Sequence, residues 1–455
     1  MHVVVIVLGD LGRSPRMQYH ALSLLQAGHF VSLIGYEGED LIPALYEFSN
    51  EQLGIIRFKV PSPRLLQKVM PVYFVWRIFS LTVWSLFALL SVHAKRKYPI
   101  DCILVQNPPA LPLLSVAYTF CWILRLLQGK RACLIIDWHN IGYSMLKPGG
   151  FQILARTYER IMAPLADGHF TVTKAMKNFL HATMNIPDDA NIRVLYDCPP
   201  DMFQPISFEQ QYDILYELDK KFCEACPRFW YASKDPECQS MFIEKLPNGD
   251  CRPRKGRPAL ITSSTSWTAD EDFGILLAAL ILLDDRIKSE KSSLKVMVAV
   301  TGKGPQKAAY EEKISQLSLE FVAIQTLWLK PENYPKLIAC ADFGVSLHTS
   351  TSGLDLPMKI LDLYGCEVPV CAADFECLPE LVLDDRNGRV FRSHEELADQ
   401  FWELLHPLTQ VSSASCHGFG TLERYSRTLR GRKRWAENWT SSALPVISLA
   451  VSKQE

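Results

Sequence analysis

One stretch of the sequence combines a carboxylate, an imidazole and an amide within four residues. Asp137, His139 and Asn140 follow an apolar run at residues 133–136, where a strand of an open α/β sheet would end and where such sheets bind ligands. Polar groups in this position are costly to bury unless they are paired or used. Asp137 or His139 could act as a general base near neutral pH, or the two could form an orienting pair. The alternative is a loop network that caps a helix.

A glycine-containing loop follows the first apolar run of the chain. Residues 3–8 are apolar and mostly β-branched, and they lead through residues 9–12 into a helical pattern. Free N–H groups at such a helix start could hold a phosphate, and two guanidinium groups beside the loop suit a pyrophosphate or a phospholipid. Gly12, Arg13 and Arg16 are therefore candidate phosphate-binding residues. The loop lacks the full dinucleotide-binding spacing, so a tight strand-to-helix turn is the alternative.

Three predicted strands in the second half of the chain end in polar segments. Residues 346–359 run from a strand through hydroxyls and a glycine to a helix that begins near Pro357, which is typical of anion binding. Residues 301–305 and 263–268 end two further strands in the same way, with Trp267 available to pack on a base. Any one segment could be an ordinary turn, but three together favour a nucleotide site. The candidate binding residues are Ser264, Thr265, Lys303, Ser352, Gly353, Leu354, Lys359 and Asp362.

These segments need a scaffold in which strands and helices alternate. Apolar runs separated by helix-length stretches predict strands at residues 3–8, 30–35, 55–60, 102–105 and 133–136. A second series predicts strands at residues 259–263, 294–300, 321–328, 344–347 and 369–372, with a helix over 273–283. The pattern predicts an α/β protein with two Rossmann-like domains that face each other across a cleft.

Composition changes along the chain predict the domain boundaries. An N-terminal domain would cover residues 1–206 and a C-terminal nucleotide-binding domain residues 258–421. Residues 207–257 are polar and contain four prolines, so we expect an insertion or linker outside either core. Residues 422–455 predict a basic helix and tail with Trp435 and Trp439.

Composition also excludes several classes of protein. The chain has 455 residues, 48% of them hydrophobic and 21% charged, with a formal net charge of -1, so it lacks the basic excess of a nucleic-acid binder. The 13 cysteines are scattered, which fits reduced thiols in the cytosol, and Met1 leads into the first strand without a secretory signal. Cys223 and Cys226 have the spacing of half a zinc site, but Cys238 and Cys251 are single, so no metal site is expected.

Residues 72–92 are apolar and about long enough to cross a bilayer. A span would place the strands before and after them on opposite sides of the membrane and divide one sheet. We therefore expect a helix in the membrane interface, with Lys95, Arg96 and Lys97 near lipid headgroups. Residues 110–127 could belong to the same surface. The alternative is that both are buried helices of a large sheet.

Six segments together resemble the chitobiosyldiphosphodolichol β-mannosyltransferases: residues 8–20, 106–109, 137–140, 263–267, 301–305 and 348–359. The resemblance covers nearly all of the chain except the predicted insertion. It implies a GT-B fold, GDP-mannose as donor and dolichyl-diphosphate chitobiose as acceptor, on the cytosolic face of the endoplasmic reticulum membrane. Membrane lipids and other early dolichol-pathway mannosyltransferases are implied partners. Relatives in animals and fungi carry an apolar N-terminal anchor, so here we expect residues 72–92 to provide attachment.

The implied reaction inverts the anomeric centre, because GDP-mannose is α-linked and the product is β-1,4-linked. One base and positive potential for the departing GDP suffice, without a covalent nucleophile. No metal is required by the sequence, and magnesium stimulation is left open. The C-terminal domain would hold GDP and the N-terminal domain would supply the base. The pair Asp137 and His139 is favoured over Asp10, with His139 contacting the donor sugar or orienting Asp137; His20 would orient.

Three alternatives remain. A retaining transferase should have a glutamate before the Gly353 loop, where this sequence has Ser352. A related nucleotide-sugar glycosyltransferase with another lipid acceptor would share most of the segments above. A non-catalytic membrane-bound scaffold would keep the apolar helix without needing polar strand ends. Cys198 stands where the resembled family usually has a basic residue, so a phosphate contact there is not expected.

Overall fold

The first series of five apolar runs, together with two further strands that the sequence did not predict, forms a parallel sheet of seven strands. They are β1 (His2–Asp10), β2 (Phe30–Tyr36), β3 (Leu53–Phe58), β4 (Cys102–Asn107), β5 (Cys133–Trp138), β6 (Gly168–Thr171) and β7 (Ile192–Val194), in the order β3-β2-β1-β4-β5-β6-β7. The central strands are fully buried because helices cover both faces, which explains their continuous apolar sequence. The order reverses between β1 and β4, where a doubly wound sheet leaves a crevice at its carboxyl edge.

In the described residues, five helices connect these strands: α1 (Pro15–Gln26), α2 (Met70–Lys95), α3 (Leu113–Gln128), α4 (Gly150–Met162) and α5 (Lys174–Thr183). The side-chain oxygen of Thr173 accepts from the backbone N–H of Met176 and so caps α5. Glycine in the left-handed region ends α3 at Gly129. Short 3-10 helices cover Pro43–Glu47, Gly142–Met145 and Ala163–Leu165.

The second series of five predicted strands, together with one further strand that the sequence did not predict, forms a parallel sheet of six strands. They are β10 (Ala259–Ser264), β11 (Val296–Thr301), β12 (Val322–Leu327), β13 (Phe343–Ser346), β14 (Val370–Ala373) and β15 (Gly388–Phe391), in the order β12-β11-β10-β13-β14-β15. A separate antiparallel hairpin contains β8 (Ile243–Lys245) and β9 (Cys251–Pro253). The helices are α6 (Phe208–Ala225), α7 (Phe273–Ser289), α8 (Lys307–Ser315), α9 (Tyr334–Ala339), α10 (Met358–Gly365), α11 (His394–Leu405) and α12 (Thr421–Leu429). Leu378–Glu380 and His406–Thr409 are 3-10 helices.

The last helix, α13 (Trp435–Ser452), belongs with the first sheet. One unit contains Met1–Asp197 and Trp435–Glu455, and the other contains Cys198–Arg434. Within the first unit, the indole N–H of Trp435 donates to the Ser23 hydroxyl at 3.0 Å, so the returning helix packs on α1.

The expectation that residues 207–257 lie outside either core is wrong. Helix α6 begins with a capping box between Ser207 and Gln210, and its apolar side joins the core of the second unit. Leu218, Phe222 and Phe242 pack in one cluster with Leu260 of β10. The segment looked too polar for a core element because α6 buries only one of its sides, and its other side is polar. The α/β architecture of two Rossmann-like domains is as the sequence predicts.

The computed structural model describes residues 1–59, 70–95, 98–187, 190–227, 230, 240–268, 270–350, 352–409 and 420–454. Arg96, Lys97 and Cys238, which the sequence analysis names, lie outside the described residues.

Candidate active site

A buried ion-pair cluster lies at the carboxyl end of β5 in the first unit. Arg16 of α1 binds Asp137 through two hydrogen bonds, from Nε to Oδ2 at 2.8 Å and from Nη2 to Oδ1 at 2.9 Å. Its Nη1 donates to Asp197 at 2.7 Å and to the Leu195 carbonyl at 3.0 Å. Burial opposes ionisation of Asp137, but the charge of Arg16 and then contact with His139 hold its pKa well below the usual value. Asp137 is therefore a permanent anion.

The tautomer of His20 follows from its partners. The indole N–H of Trp439 can only donate, and it donates to Nδ1 of His20 at 2.9 Å. The proton of the neutral ring must then be on Nε2, which donates to Oδ2 of Asp137 at 3.1 Å. Burial lowers the pKa of His20, opposed by its hydrogen bond to Asp137. His20 thus holds Asp137 in place as a neutral donor, which agrees with the predicted orienting role.

His139 has a different environment. Its Nε2 lies 2.9 Å from Oδ2 of Asp137, and its side chain is 23% exposed. Within the part of the chain that the structure describes, Nδ1 of His139 has no hydrogen-bond partner. A carboxylate that binds Nε2–H fixes the tautomer with a lone pair on Nδ1. The ring therefore presents a proton acceptor at the sheet edge.

Three predicted roles do not agree with this geometry. Asp137 is fully buried with both oxygens hydrogen-bonded, so it cannot reach a substrate hydroxyl as the base. The predicted orientation is reversed, because Asp137 orients His139. Arg16 is 4% exposed and bound to two carboxylates, so the structure contradicts its role in binding a phosphate.

The loop after β1 uses its own N–H groups. Gly12 N–H donates to the Asp10 carboxylate at 2.9 Å, and Arg13 N–H donates to the Asp10 carbonyl. A Cβ at Gly12 would lie 2.5 Å from the Glu39 carbonyl oxygen, so glycine is required for this close approach. The predicted phosphate cradle at Gly12 is contradicted, and the tight turn is correct. Arg13 is exposed and pairs with Glu39 at 2.9 Å.

Asp10 is also held within this turn. Its carboxylate accepts from Gly12 N–H and from Glu39 N–H, the latter at 3.1 and 3.2 Å. Both oxygens thus serve the loop, as the alternative of a structural role requires. This geometry makes Asp10 a weaker candidate than His139 for the base.

In the second unit, Glu271 joins the segments that follow β10 and β13 to α10. It accepts from the Thr265 hydroxyl at 2.8 Å and from Ser266 N–H, and it pairs with Lys359. Nδ1 of His348 lies 3.8 Å from the same carboxylate. Burial opposes ionisation of Glu271, but the nearby ring of His348 and the ammonium group of Lys359 lower its pKa to about 2. The side chain of Lys359 is 27% exposed, so its ammonium group can bind an anion as well.

A second polar cluster lies beside it. The Ser264 hydroxyl is 3.0 Å from that of Thr301 and 2.9 Å from that of Tyr334. Tyr334 in turn donates to Asp362 at 3.4 Å. Burial raises the pKa of Asp362 to about 7, opposed by Tyr334 and Lys359.

The loop that follows β11 packs against the loop that follows β10. A Cβ on Gly302, which has φ +128°, would lie 1.8 Å from the Thr265 carbonyl oxygen, so only glycine allows this contact. Lys303 lies 3.6 Å above the exposed ring of Trp328. The expectation that Trp267 packs on a base is wrong, because Trp267 is fully buried against Phe273.

The segment after β13 folds around Asp355. Its carboxylate accepts from the hydroxyls of Ser350 and Ser352, the latter at 3.3 Å. Gly353 follows with φ +72°, and Leu354 is 8% exposed with its N–H bound to the Ser352 hydroxyl. The loop is thus preformed ahead of α10, with hydroxyls occupied by Asp355. Thr351 lies outside the described residues.

Helix α2 has one buried side and one exposed side. Leu81, Ala88 and Leu89 are buried. Val72–Lys95 is long and apolar enough to cross a membrane, the one such helix among the described residues. However, β3 before the helix and β4 after it belong to one parallel sheet. A helix that crossed a membrane would place these two strands on opposite sides of it and divide the sheet. The exposed apolar side chains are Val72, Val75, Phe79, Val83, Phe87 and Leu90.

Sequence reasoning missed four groups that complete these clusters. Glu271 lies in an acidic stretch that reads as ordinary charge before a helix, although an acid next to hydroxyl-rich residues was a usable signal. Asp197 is 181 residues from its partner Arg16, and Trp439 is 419 residues from His20. No local pattern could link such pairs. Tyr334 likewise lies on α9, outside the predicted polar segments.

Two Rossmann-like units with cationic and hydroxyl groups at their strand ends define a GT-B glycosyltransferase. The family model described as "Glycosyl transferases group 1" matches residues 260–407. The crystal structure of Anabaena HepE in complex with UDP has a TM-score of 0.61 at 14% identity, covering 99% of this chain and all of that chain. A glycosyltransferase from Rickettsia africae has a TM-score of 0.59 at 13% identity, covering 99% and 98%. These structures establish the fold.

Closer relatives establish the family. The chain is 37% identical to the mouse chitobiosyldiphosphodolichol beta-mannosyltransferase, over 98% of this chain and 89% of that protein. The Dictyostelium discoideum protein of the same name is 35% identical over 96% and 92%. The Arabidopsis thaliana protein named UDP-glycosyltransferase TURAN is 37% identical over 99% and 97%. The chain belongs to the chitobiosyldiphosphodolichol beta-mannosyltransferase family, and it is a glycosyltransferase, as the sequence predicts.

Proposed function

We propose that this enzyme transfers mannose from GDP-mannose to dolichyl-diphosphate chitobiose, forming a β-1,4 linkage at the cytosolic face of the endoplasmic reticulum membrane. The near full-length likeness to relatives named for this activity supports the substrates. One observation carries the reaction type: among the described residues Nδ1 of His139 has no hydrogen-bond partner, while Asp137 fixes the ring. An inverting displacement needs this single base.

In the reaction, the acceptor hydroxyl oxygen attacks the anomeric carbon of mannose from the side opposite GDP. The new C–O bond forms as the bond from the anomeric carbon to the phosphate oxygen breaks. The hydroxyl proton goes to Nδ1 of His139, and the electron pair of the broken bond leaves with GDP. Because the donor is α-linked, one displacement gives the β-linked product.

The buried cluster is suited to a histidine that gains charge. Arg16 carries one positive charge, and Asp137 and Asp197 carry two negative charges. His20 is neutral because its Nδ1 accepts from Trp439. The cluster around His139 therefore has a net charge of about -1 before reaction, and protonation of His139 makes it neutral. This compensation favours the imidazolium that forms in the transition state.

The second unit supplies the groups that would bind the donor. Lys359 and Lys303 would face the diphosphate, and the loop at Ser352 and Gly353 would line the donor site, although its Gly353 and Leu354 N–H groups bond within the loop in this structure. The hydroxyl of Ser264 and the carboxyl of Asp362 could bind ribose hydroxyls. Lys359 is paired with Glu271, so donor binding would draw its ammonium group partly toward the phosphates. Side chains alone can supply the charge that GDP needs to depart.

Attachment to the membrane would use α2. Its exposed apolar stripe would lie in the bilayer interface, since the sheet prevents a span. His93 and Lys95 in its last turn would lie near headgroups. This arrangement would hold the first unit next to a lipid-linked acceptor.

A donor and acceptor comparison tests the proposal. The purified chain is incubated with phytanyl-diphosphate chitobiose and with GDP-mannose, UDP-glucose or UDP-N-acetylglucosamine. We expect transfer from GDP-mannose alone. The UDP-sugars matter because one near full-length relative is named a UDP-glycosyltransferase. Transfer from a UDP-sugar with none from GDP-mannose would reject the donor, and transfer to another lipid diphosphate alone would reject the acceptor.

A further inference from the structure

Helix α4 (Gly150–Met162) has two sides of opposite character. Its inner side is fixed to the protein: Tyr158 accepts from Ser115 N–H at 2.8 Å, and Glu159 and Met162 are buried. Its outer side carries apolar side chains that contact little. Phe151, Ile153, Leu154 and Ile161 are 47–66% exposed. Four large apolar side chains on one short surface helix require an explanation.

The charged residues of α4 are arranged beside this apolar surface. At 100° per residue, Ile153, Leu154 and Ile161 fall within an arc of about 100° on the outer side of the helix. Arg156 and Arg160 border this arc beside Ile153, and Phe151 lies beyond its other border. Within the described chain neither arginine lies within ion-pair distance of a carboxylate; Arg156 lies over the Tyr143 ring and Arg160 contacts Asn185. The single acid of the helix, Glu159, is buried on the inner side. The outer side is therefore apolar and cationic.

This surface continues the exposed side of α2. The rings of Phe74 on α2 and Phe151 on α4 are 4.6 Å apart. Near this contact, α2 exposes Val72 and Val75, which are 51% and 67% accessible. The two helices thus form one apolar surface in the first unit rather than two isolated patches.

We propose that the outer side of α4 docks on an anionic lipid bilayer, with the helix in the plane of the interface. Apolar residues on one side and arginines on the next are the composition of helices that bind in this way. Leu154 and Ile161 enter the acyl boundary, and Arg156 and Arg160 bind lipid phosphates. A protein partner would be expected to meet mixed charges at the rim, whereas this side of α4 carries positive charge only. The inference is independent of the donor and acceptor, because binding is measured without either.

Vesicle flotation of the purified full-length chain tests this docking surface. Vesicles of phosphatidylcholine with and without about one-fifth phosphatidylinositol are compared. We expect Leu154→Gln/Ile161→Gln to reduce the partition coefficient for both vesicles by about tenfold. We expect Arg156→Gln/Arg160→Gln to reduce binding about tenfold on the anionic vesicles only. Leu282→Gln/Leu383→Gln and Arg386→Gln change exposed residues of the second unit and should bind like the wild type.

Unchanged thermal melting confirms that each variant is folded, since the replaced side chains lie outside the core. Wild-type partitioning of both α4 variants would overturn the proposal. So would an equal loss in the control variants. A change in the oligomeric state of Leu154→Gln/Ile161→Gln with unchanged vesicle binding would assign the surface to a second copy of the chain and would also overturn it.

Discussion

Oδ2 of Asp137 lies 2.9 Å from Nε2 of His139, and the same oxygen accepts from Nε of Arg16 at 2.8 Å. One buried carboxylate thus holds both a permanent cation and the ring that faces outward. This sharing removes Asp137 from the list of groups that can accept a proton from substrate. In the proposed reaction His139 takes that role, and Asp137 orients it.

We expect His139→Ala to lower the single-turnover rate at saturating GDP-mannose by about 10²–10⁴-fold, the usual contribution of a general base. GDP binding should be unchanged because His139 lies in the first unit. His394→Ala, at a partly exposed position of α11, is the matched control.

Asp137→Asn and Asp10→Asn distinguish a base in the pair Asp137 and His139 from a base at Asp10. Asp137→Asn should reduce the rate and also destabilise the fold by about 3 kcal/mol, because Arg16 loses its main buried partner. Asp10→Asn should keep most of the chemical rate. If both His139→Ala and Asp137→Asn retain the rate while Asp10→Asn loses it, the base belongs to the loop after β1.

Lys359→Ala should raise the activation free energy of turnover by roughly 2–4 kcal/mol, because in the proposed reaction the charge would stabilise the departing diphosphate. It should also lower the free energy of unfolding by about 2 kcal/mol, since Glu271 is 3% exposed and would lose its cation. Adding Glu271→Gln should restore stability but not turnover. Wild-type turnover in the folded double variant would contradict the role of Lys359.

We expect the free energy of unfolding to depend on pH through Glu159. Burial raises its pKa to about 7, opposed by hydrogen bonds from Asn107 and Gly142. The unfolded chain loses this proton near pH 4.5 and the native state near pH 7, so native stability falls as pH rises through that window. Glu159→Gln should remove this loss. The difference in free energy of unfolding between the variant and the wild type should therefore favour the variant by up to about 3 kcal/mol more at pH 8 than at pH 4.5.

Urea unfolding at pH 4.5, 6 and 8 measures this difference. Glu312→Gln, at an exposed position of α8, is the control. An identical pH slope in Glu159→Gln and the wild type would show that Glu159 ionises normally in the native state.

The sheets were predictable from sequence because continuous apolar runs are typical of strands buried on both faces. The predicted strands at residues 133–136 and 259–263 agree with β5 and β10 to within two residues at each end. The insertion was not predictable in the same way. Helix α6 buries one side only. Its many polar residues therefore gave the segment a polar average composition, which hid the core residues Leu218 and Phe222.

The candidate site was partly predictable. The types and spacing of Asp137, His139 and Lys359 identified the polar strand ends, since such groups are costly there without a use. Their division of roles depends on pairs such as Arg16 with Asp197, which come together only when distant segments fold. Gly12 was assigned to a phosphate because its approach to Glu39 cannot be read from the local sequence.

An added glycosylation site tests the cytosolic location. The turn between β8 and β9 contains Asn248 and Gly249, both exposed, and Asp250→Thr completes a sequon there. We expect no glycan at Asn248 in cells. The native sequon at Asn438 is a weaker reporter, because Asn438 donates to the Tyr196 carbonyl and the next residue, Trp439, is buried. A glycosidase-sensitive mass shift of Asp250→Thr would place this loop in the lumen.

The stereochemistry of the transferred sugar tests the central claim most directly. The purified chain is given GDP-mannose and phytanyl-diphosphate chitobiose, and the product is digested with β-mannosidase or α-mannosidase. An inverting displacement with His139 as base predicts that one mannose is added and that β-mannosidase alone releases it. Release by α-mannosidase would require retention at the anomeric carbon, which one displacement assisted by His139 cannot give, and would contradict the account.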